Sequence, residues 1–588
     1  MFIWKVLYCA VGTVEESIME NRQIADIFTE IADILDIKGD NPFRIRSYRN
    51  AARAVGDMSE NVAAMVREGK DLERIPGIGT SIAEKIKEIV STGKLHFLDE
   101  LRAGLPRGLP ELLKVEGLGP RKVKLFYDSL KIDTVDKLEA AAREGKLREL
   151  FRMGDRSEEN LIKAIARYRM GQGRFKLSVA FDYAESIITY LKKSKGVKAI
   201  EVAGSLRRRK ETIGDLDILA ICPEGTDIMD RFVKYDGIEE VLAQGMTKSS
   251  ARLACGIQVD VRVLPRESFG AALQYFTGSK EHNIALRTRA VERKLKISEY
   301  GVFKGKRCLA GKSEEEVYAA VKLPVIPPEL RENHGEIEAA EKGKLPDLIE
   351  LKDIRGDLQM HTTATDGKAS ILDMASKARE LGYEYIAITE HSKAVTVARG
   401  LDEKRLAKHL KAIEETQENI PEVRILKGIE VDILPDGSLD LDDGILKECD
   451  VVIGAVHYRF NLSEKEMTKR IIKGISNRHV NIFGHPTGRL ILERPSYEVD
   501  IEEFVRAAKD HGVTLEINAH PDRLDLRDIH VRLAKDQGVR LVISTDAHSI
   551  QNLEFMRYGV FTARRGWAEA KDVINTYPLQ KLLKALKR

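Results

Sequence analysis

Cysteine and tryptophan are scarce in this chain, with five Cys and two Trp among 588 residues. Cys9, Cys222, Cys255, Cys308 and Cys449 share no paired spacing. That excludes a disulfide scaffold and a cysteine-ligated zinc module, and fits a reducing compartment. No apolar run approaches the roughly 18 residues that a membrane span needs. Net charge is also nearly missing, 96 Lys and Arg against 93 Asp and Glu, so total charge selects no partner. What is present is a composition 43% hydrophobic and 32% charged, as in globular proteins. The length calls for three or more domains. Charge is unevenly placed: residues 101–200 hold 22 Lys/Arg against 13 Asp/Glu, and residues 401–450 hold 7 against 14. One region suits phosphates and the other suits cations. The opening MFIWKVLYCAVG is apolar but short, is interrupted by Lys5 and meets Glu15-Glu16 at once, so it does not read as a secretory leader. A helical pattern begins at Met19, and residues 1–18 are expected to be an extension from an upstream start. The expected location is the cytoplasm.

The most informative stretch is VAGSLRRRKETIGDLDILA, Val202–Ala220. An apolar run ends in Gly204-Ser205, a basic turn follows, and Gly214-Asp215-Leu216-Asp217 opens a second apolar run. Residues two apart on a strand point to one side, so Asp215 and Asp217 aim their carboxylates together. Asp260, in the alternating run IQVDVRV, supplies a third. Three carboxylates facing a Gly-Ser turn make a site for two hard cations and a triphosphate. Solvated acids on an edge strand are the bland alternative, and the combination with Gly-Ser and Asp260 argues against it.

Upstream the pattern is helical. Ile24, Ile27, Phe28, Ile31, Ile34 and Leu35 make one apolar face. Pro42 suits a helix start, and Arg44, Arg46 and Arg49 sit among Phe43 and Tyr48, either as a solvated face or as a pocket for a DNA 5′-phosphate. IPGIGTSIAEKI (Ile75–Ile86) and VEGLGPRKVKLF (Val115–Phe126) share a helix, Gly-x-Gly, helix design, with a degenerate third copy at FRMGDRSEENLI (Phe151–Ile162). Gly77, Gly79, Gly117 and Gly119 let the backbone approach a phosphate that the next helix's free N–H groups can meet. Such pairs resemble helix-hairpin-helix motifs, a resemblance that implies a hold on the DNA backbone without reading its sequence.

These features resemble family X DNA polymerases, the DNA polymerase beta group. The resemblance implies that Asp215, Asp217 and Asp260 bind Mg²⁺ or Mn²⁺. It implies that Gly204, Ser205, Arg208 and Gly214 contact an incoming dNTP, and that phosphoryl transfer is in line. In QYFTGSKEHNIALR (residues 274–287) the pair Tyr275-Phe276 with Gly278 matches the thumb segment that packs against the sugar. Asn283 and Arg287 match the minor-groove side of the nascent base pair. Lys85 matches the lysine that forms a Schiff base with an abasic sugar, the chemistry of a 5′-dRP/AP lyase. Two departures stand out: Gln258 replaces an arginine two residues before the third aspartate, and Lys280 replaces an acidic residue.

A proline-rich polar stretch, with Pro324, Pro327, Pro328 and Pro346, marks a boundary. Beyond it, apolar runs of strand length end in metal-ligand types: His361 and Asp366, His391, Glu430, His457, His485, His520, then Asp546 and His548. Ten of the 13 histidines lie after residue 350. Alternating strands and helices predict a parallel barrel whose ligands gather at the strands' carboxyl ends. The order resembles the polymerase-and-histidinol-phosphatase (PHP) domain, a distorted seven-stranded barrel holding up to three metals, here Zn²⁺ and/or Mn²⁺. Gln359 stands where most members have the first His of His-x-His. His520 and Asp432 are extra, and His409, His479, His511 and His530 read as surface or helical residues.

The expected fold is therefore a multidomain α/β chain. Its parts are an extension (1–18), two helical domains with helix-hairpin-helix motifs (19–105 and 106–175), a nucleotidyltransferase palm (176–265), a thumb (266–322), a linker (323–345) and a (β/α)7 PHP barrel (346–588). The expected function is gap-filling DNA synthesis in repair, with 3′–5′ exonuclease and AP-endonuclease or 3′-phosphatase chemistry in the barrel. The expected partners are gapped or nicked DNA and dNTPs, with no membrane, and the expected state is a monomer. The alternatives are a barrel that is a small-molecule phosphatase or a structural module, and a core that is a small-substrate nucleotidyltransferase.

Overall fold

The fold comes from a computed structural model that describes residues 21–56, 62–67, 69–75, 78–103, 106, 109–113, 115, 117–150, 153–169, 173–223 and 226–587. The expected extension, Gly77 of the first hairpin, and Phe151-Arg152 of the third lie outside them. The chain forms two compact units, residues 1–172 and 173–588.

The first unit is helical. The apolar stripe of Asn21–Lys38 buries Ile24, Phe28, Ile31, Ile34 and Leu35 against Pro42–Gly56 and Thr80–Thr92. Pro42 starts its helix, where a missing N–H costs nothing, and Asn41 Oδ1 accepts from Phe43 N at 2.9 Å. The helices Thr80–Thr92 and Pro120–Leu130 begin directly after Gly79 and Gly119, as the hairpin motif requires. Gly117 has φ +78 and open space around its Cα, so a side chain there would strain the turn.

In the second unit a five-stranded sheet runs Ala199–Val202, Asp215–Ile221, Gln258–Val263, Lys248–Leu253, Ile238–Gln244 from edge to edge. Asp215–Ile221 pairs parallel with Gln258–Val263, which sets Asp217 beside Asp260. The helix Leu177–Leu191 covers one face through Leu177, Ala184 and Ile187. Two further helices, Phe269–Thr277 and Lys280–Glu292, lead into a three-stranded sheet at residues 296–310.

A buried ionic knot ties the palm turn to the thumb. Glu314 accepts from Arg207 at 2.9 and 2.6 Å and from Arg331 at 2.6 Å. Burial would raise the Glu314 carboxyl, but the Arg207 and Arg331 guanidiniums outweigh it and hold it at about 2. The folded value lies below the unfolded one, so this stabilisation is present above roughly pH 4.3 and is lost as pH falls towards about 2. Glu314→Gln is expected to cost roughly 3–5 kcal/mol near neutral pH, because the buried Arg331 and the half-buried Arg207 lose their counter-charge. Urea denaturation checks it: the gap to wild type should close as pH falls through that window, and a gap independent of pH would contradict the ionic account.

The remaining elements form a seven-stranded parallel sheet: Gly356–Asp357, Tyr385–His391, Arg424–Asp432, Val451–Ala455, Ile482–Phe483, Thr514–Asn518 and Leu541–Ser544, in chain order. A parallel bridge from Met360 to Ala547 brings the first and last strands' ends together, so the barrel is nearly closed. Alternation sorts its side chains. Ile386, Ile388, Ile429 and Val431 face the surrounding helices. Tyr385, Ala387, Leu426, Val451, Ile453 and Val542 face inward, onto Ile574, Leu582 and Leu586 of the carboxy-terminal segment, which plug one end. No described helix is long and apolar enough to cross a membrane.

Palm and barrel share a core. Ile491, Leu524 and Tyr558 of the barrel pack with Leu177, Ile218 and Val259. Lys176 reaches Glu493 at 2.5 Å and Asp522 at 2.7 Å, and Arg489 reaches Glu211 at 2.8 Å.

Two candidate metal centres

The palm centre follows from strand register. Asp217 and Asp260 are side by side on parallel strands, and Asp215 projects to the same side two residues earlier. Burial first, then the neighbouring carboxylates Asp215 and Asp260, push Asp217 up to about 7. Asp215 is raised by burial and by Asp260. Asp260 is also opposed by burial, but Lys248, Ser250 and Gln258 lower it. Lys248 Nζ lies 3.0 Å from its Oδ2, and Gln258 Nε2 donates to its Oδ1 at 3.1 Å. Gln258, a departure in the sequence, thus steers the third carboxylate. Two acids raised by burial and by their carboxylate neighbours, beside a third held ionised, are a donor set that divalent cations relieve.

The Gly-Ser turn closes over this trio. Gly204 has φ +61, and a Cβ there would stand 2.9 Å from Asp217 Oδ2. Only glycine lets the turn backbone come so close to the carboxylate. Ser205 is half-buried beside it, and Gly214 immediately precedes the strand that carries the aspartates. Arg208 Nε donates to Glu332 Oε1 at 3.1 Å, and its Nη1 donates to Thr277 O. A Cβ on Gly278 (φ +70) would meet that Nη1 at 3.0 Å. The Tyr275 and Phe276 rings are perpendicular, 5.3 Å apart and half-buried. Asn283 donates to Tyr275 O at 2.7 Å and accepts from Gln274 at 2.6 Å, and Arg287 Nε donates to Asn283 O at 3.2 Å. Here Asn283 clasps the aromatic pair.

In the helical unit, Lys85 Nζ donates to Ser81 Oγ at 3.1 Å and lies 5.5 Å from the Phe97 ring centre, with the Arg44 guanidinium 4.9 Å from the same centre. Arg44 also pairs with Asp40, and Arg49 with Asp36. Lys85 and Arg44 thus both lie over the Phe97 ring, and both arginines carry an aspartate partner.

The barrel centre gathers all eight ligand candidates from the sequence. His361, Asp366, His391 and His548 form one group, and His391, Glu430 and His457 a second that shares His391. His485 Nε2 is 2.9 Å from Glu430, and His361 Nε2 is 3.2 Å from Asp546. Glu430 faces inward because it shares strand parity with Leu426, and the polar end of the interior lies opposite the apolar plug. Asp546 (φ +53) and His485 (φ +28) hold left-handed backbone, a conformation that accumulates at functional sites.

The donor set fits metals. Both ring nitrogens of His361, Nδ1 of His391, His457 and His485, Glu430 Oε2, Asp546 Oδ1 and both Asp432 oxygens are buried without a hydrogen bond. Buried polar atoms are nearly always paired, and imidazole with carboxylate suits Zn²⁺ or Mn²⁺. The electrostatics agree. Burial opposes protonation, yet Glu430 and Asp366 raise His391 well above the imidazole range. Against the same burial, Glu430 and Asp432 raise His457 to about 9, and Asp366 and Asp546 raise His548 to about 9. The carboxylates draw positive charge to this spot.

Gln359 is buried. With its amide nitrogen turned to Glu516 it donates to both carboxylate oxygens, Oε2 at 3.2 Å. Burial, then Asp546, raises Glu516 well above the carboxyl range. An acid and an amide therefore fill the place of the absent histidine. His520 lies apart from both groups, against Phe555. Asp432, unassigned from sequence, is buried 3.4 Å from His457 Nδ1. His409 is helical, as read from the sequence, and it is buried, 3.5 Å from Glu390. Glu390, overlooked in the sequence, accepts from Thr362 N at 3.0 Å and from the Thr362 and Thr365 hydroxyls. It braces the loop that carries His361 and Asp366. An acid inside the apolar run YIAITEH was the available signal.

Comparison with known proteins follows the same division. Residues 19–95 match the helix-hairpin-helix domain, 109–167 the SAM-like helix-hairpin-helix tandem, 272–332 the DNA polymerase beta thumb, and 357–520 the PHP domain. The chain is 40% identical over 574 residues to the DNA polymerase/3'-5' exonuclease PolX of Bacillus subtilis strain 168, covering 97% of this chain and 100% of that one. It is 34% identical over 204 residues to a probable phosphatase of Thermoanaerobacter sp. strain X514, covering 32% of this chain and 78% of that one. A probable phosphatase of Caldanaerobacter subterraneus is 35% identical over 203 residues, covering 33% and 75%.

Proposed function

This chain belongs to the family X DNA polymerases that carry a carboxy-terminal PHP domain, and from that premise we propose how its residues divide the labour. It is a DNA polymerase and a 3′–5′ exonuclease. In the palm, Asp215, Asp217 and Asp260 hold Mg²⁺ or Mn²⁺. Gly204, Ser205, Arg208 and Gly214 seat the triphosphate of the dNTP. When bound, the cations activate the attacking oxygen and neutralise charge on the phosphate. The chain aligns the primer 3′-hydroxyl at Asp260, which Lys248 and Gln258 hold in place. Tyr275 and Phe276 pack the sugar, Asn283 fixes them from behind, and Gly278 leaves room for Arg208. Gly79, Gly117 and Gly119 present backbone N–H groups to the phosphates of gapped DNA. A monomer suffices for this.

In the barrel, His361, Asp366, His391, Glu430, His457, His485, Asp546 and His548 hold Zn²⁺ and/or Mn²⁺. The ions there supply the water nucleophile and bind the scissile phosphate. Glu430 orients the imidazoles on its sides, and Glu390 fixes the His361–Asp366 loop. Gln359, occupied by Glu516, offers no ligating nitrogen, so the set is short of one donor.

The observation that carries the reading is the presence of two disjoint donor sets, an all-carboxylate trio in the palm and an imidazole-carboxylate nest in the barrel. A gapped duplex with a mismatched 3′ terminus tests it, given Mn²⁺ with and without dNTPs. Without dNTPs the primer should shorten from its 3′ end. With them, shortening to a paired end should be followed by filling of the gap. A primer that extends but never shortens, while a phosphorylated metabolite is hydrolysed, would favour a small-molecule phosphatase in the barrel, the region matched by relatives named probable phosphatases.

A further inference from the structure

The triphosphate turn of the palm is gripped by the barrel. Arg565 closes the helix Met556–Arg565, and its side chain is almost completely buried. Its Nε and Nη2 donate to Asp528 Oδ2 at 2.9 and 2.6 Å, which fixes the plane of the guanidinium. Its Nη1 then points across the seam. It donates to the backbone oxygen of Arg208 at 2.7 Å and to Glu332 Oε1 at 3.0 Å. The same Glu332 oxygen accepts from Arg208 Nε at 3.1 Å. Arg565 thus touches Arg208 twice, at its carbonyl and through a shared carboxylate.

The neighbours reinforce this grip. Arg564 donates to Glu329 at 2.8 Å and to Ile349 O at 3.0 Å, which pins the segment carrying Glu332. Arg209 holds left-handed backbone (φ +57), and its guanidinium lies 4.4 Å from the ring centre of Phe561, on the same barrel helix. A non-glycine residue adopts that backbone only where its surroundings hold it there. Nε of Arg208 is committed to Glu332 and Nη1 to Thr277 O. Its Nη2 has no hydrogen bond among the described residues and is the nitrogen left for a phosphate. A guanidinium fixed at two corners presents the third in one direction, which is preorganisation for an anion.

We propose that Arg565, a barrel residue with no part in the barrel's own chemistry, is a positioning residue for nucleotide binding in the palm, acting through Glu332 on Arg208. This rests on the reading of Arg208 as a triphosphate contact. Loss of Arg565 frees the Arg208 carbonyl and lets Glu332 swing, so Arg208 meets the triphosphate in many orientations instead of one.

The test is single-nucleotide insertion on a gapped duplex by the full chain, with 3′ trimming measured in parallel. Arg565→Ala should raise the KM for dNTP about tenfold, the size of one charge-assisted hydrogen bond, with a much smaller change in kcat and trimming unchanged. Arg565→Lys should fall between, because one ammonium cannot hold Asp528, Glu332 and the carbonyl together. Arg208→Ala should raise KM further, and Arg208→Ala with Arg565→Ala should match Arg208→Ala alone, since one residue acts through the other. Glu332→Gln provides an independent arm in which the Arg565–Asp528 pair is intact, and it too should raise KM. If Arg208→Ala raises KM while Arg565→Ala and Glu332→Gln do not, or if the double variant shows the product of the single effects, the positioning role is wrong. If Arg208→Ala itself leaves KM unchanged, the triphosphate reading fails and the inference fails with it.

Discussion

Asp217→Asn should stop nucleotide addition while leaving 3′ trimming intact. The side chain keeps its shape, so the strand and the Gly204 contact survive. What disappears is the charge at the centre of the trio, flanked by Asp260 in register and Asp215 two residues away. Burial, and after it the neighbouring carboxylates, push Asp217 up to about 7, and a cation bound there would relieve both. An amide offers one weak oxygen and no charge, so the cation that would bridge Asp217 and its neighbours is lost. Removing charge stabilisation of this kind costs on the order of 10³-fold or more in rate. Primer extension with a matched end measures it, and exonuclease assays on the same preparation provide the control. Extension within about tenfold of wild type would mean that Asp217 is not a metal ligand, since ligand losses are larger. Loss of trimming as well would mean that the two centres are not separate.

Glu430→Gln should do the opposite. Glu430 is the hub of the barrel centre, 2.9 Å from His485, 3.0 Å from His391, 3.3 Å from His457 and 3.5 Å from His361. Burial would raise its carboxyl, yet His457 and His391 hold it well below the usual range. The amide is isosteric but neutral, and it leaves the surrounding imidazoles to repel one another once protonated. Metal binding should weaken by at least ~10²-fold, beyond what is typical when a ligand's supporting partner is removed. Trimming should fall on the order of 10³-fold while extension of a matched primer persists. Elemental analysis of the purified protein reads the first effect independently of activity. Unchanged metal content with lost trimming would recast Glu430 as a proton carrier instead of a ligand.

Much of this was legible in the chain because strand geometry converts spacing into direction. Asp215-x-Asp217 and the alternating run around Asp260 needed only a period of two, and the histidines at strand ends needed only parallel strands. Residues that act across the fold gave no such signal. Lys248 reaches Asp260 from a neighbouring strand whose order in the sheet no local pattern encodes. Glu390 looks like a mistake in an apolar run until Thr362 and Thr365 fold over it. No local pattern singles out Arg564 and Arg565, because their partners Glu329, Asp528 and Glu332 are scattered through the chain. His409 read as a helical or surface side chain because burial depends on which strand the helix covers. Asn283 matched the family pattern at the minor groove, yet its amide bonds inward to Gln274 and Tyr275, a choice set by the bend between two helices.

The common core of Leu177, Ile218 and Val259 with Ile491, Leu524 and Tyr558 has a kinetic consequence. Proofreading enzymes can swing one catalytic body over a stationary primer, but here the two candidate centres sit in one compact unit, residues 173–588, with a shared core. The nucleic acid itself has to do the travelling. A mismatched terminus frays sooner than a paired one, so the choice between adding and removing a nucleotide falls to the lifetime of the melted end.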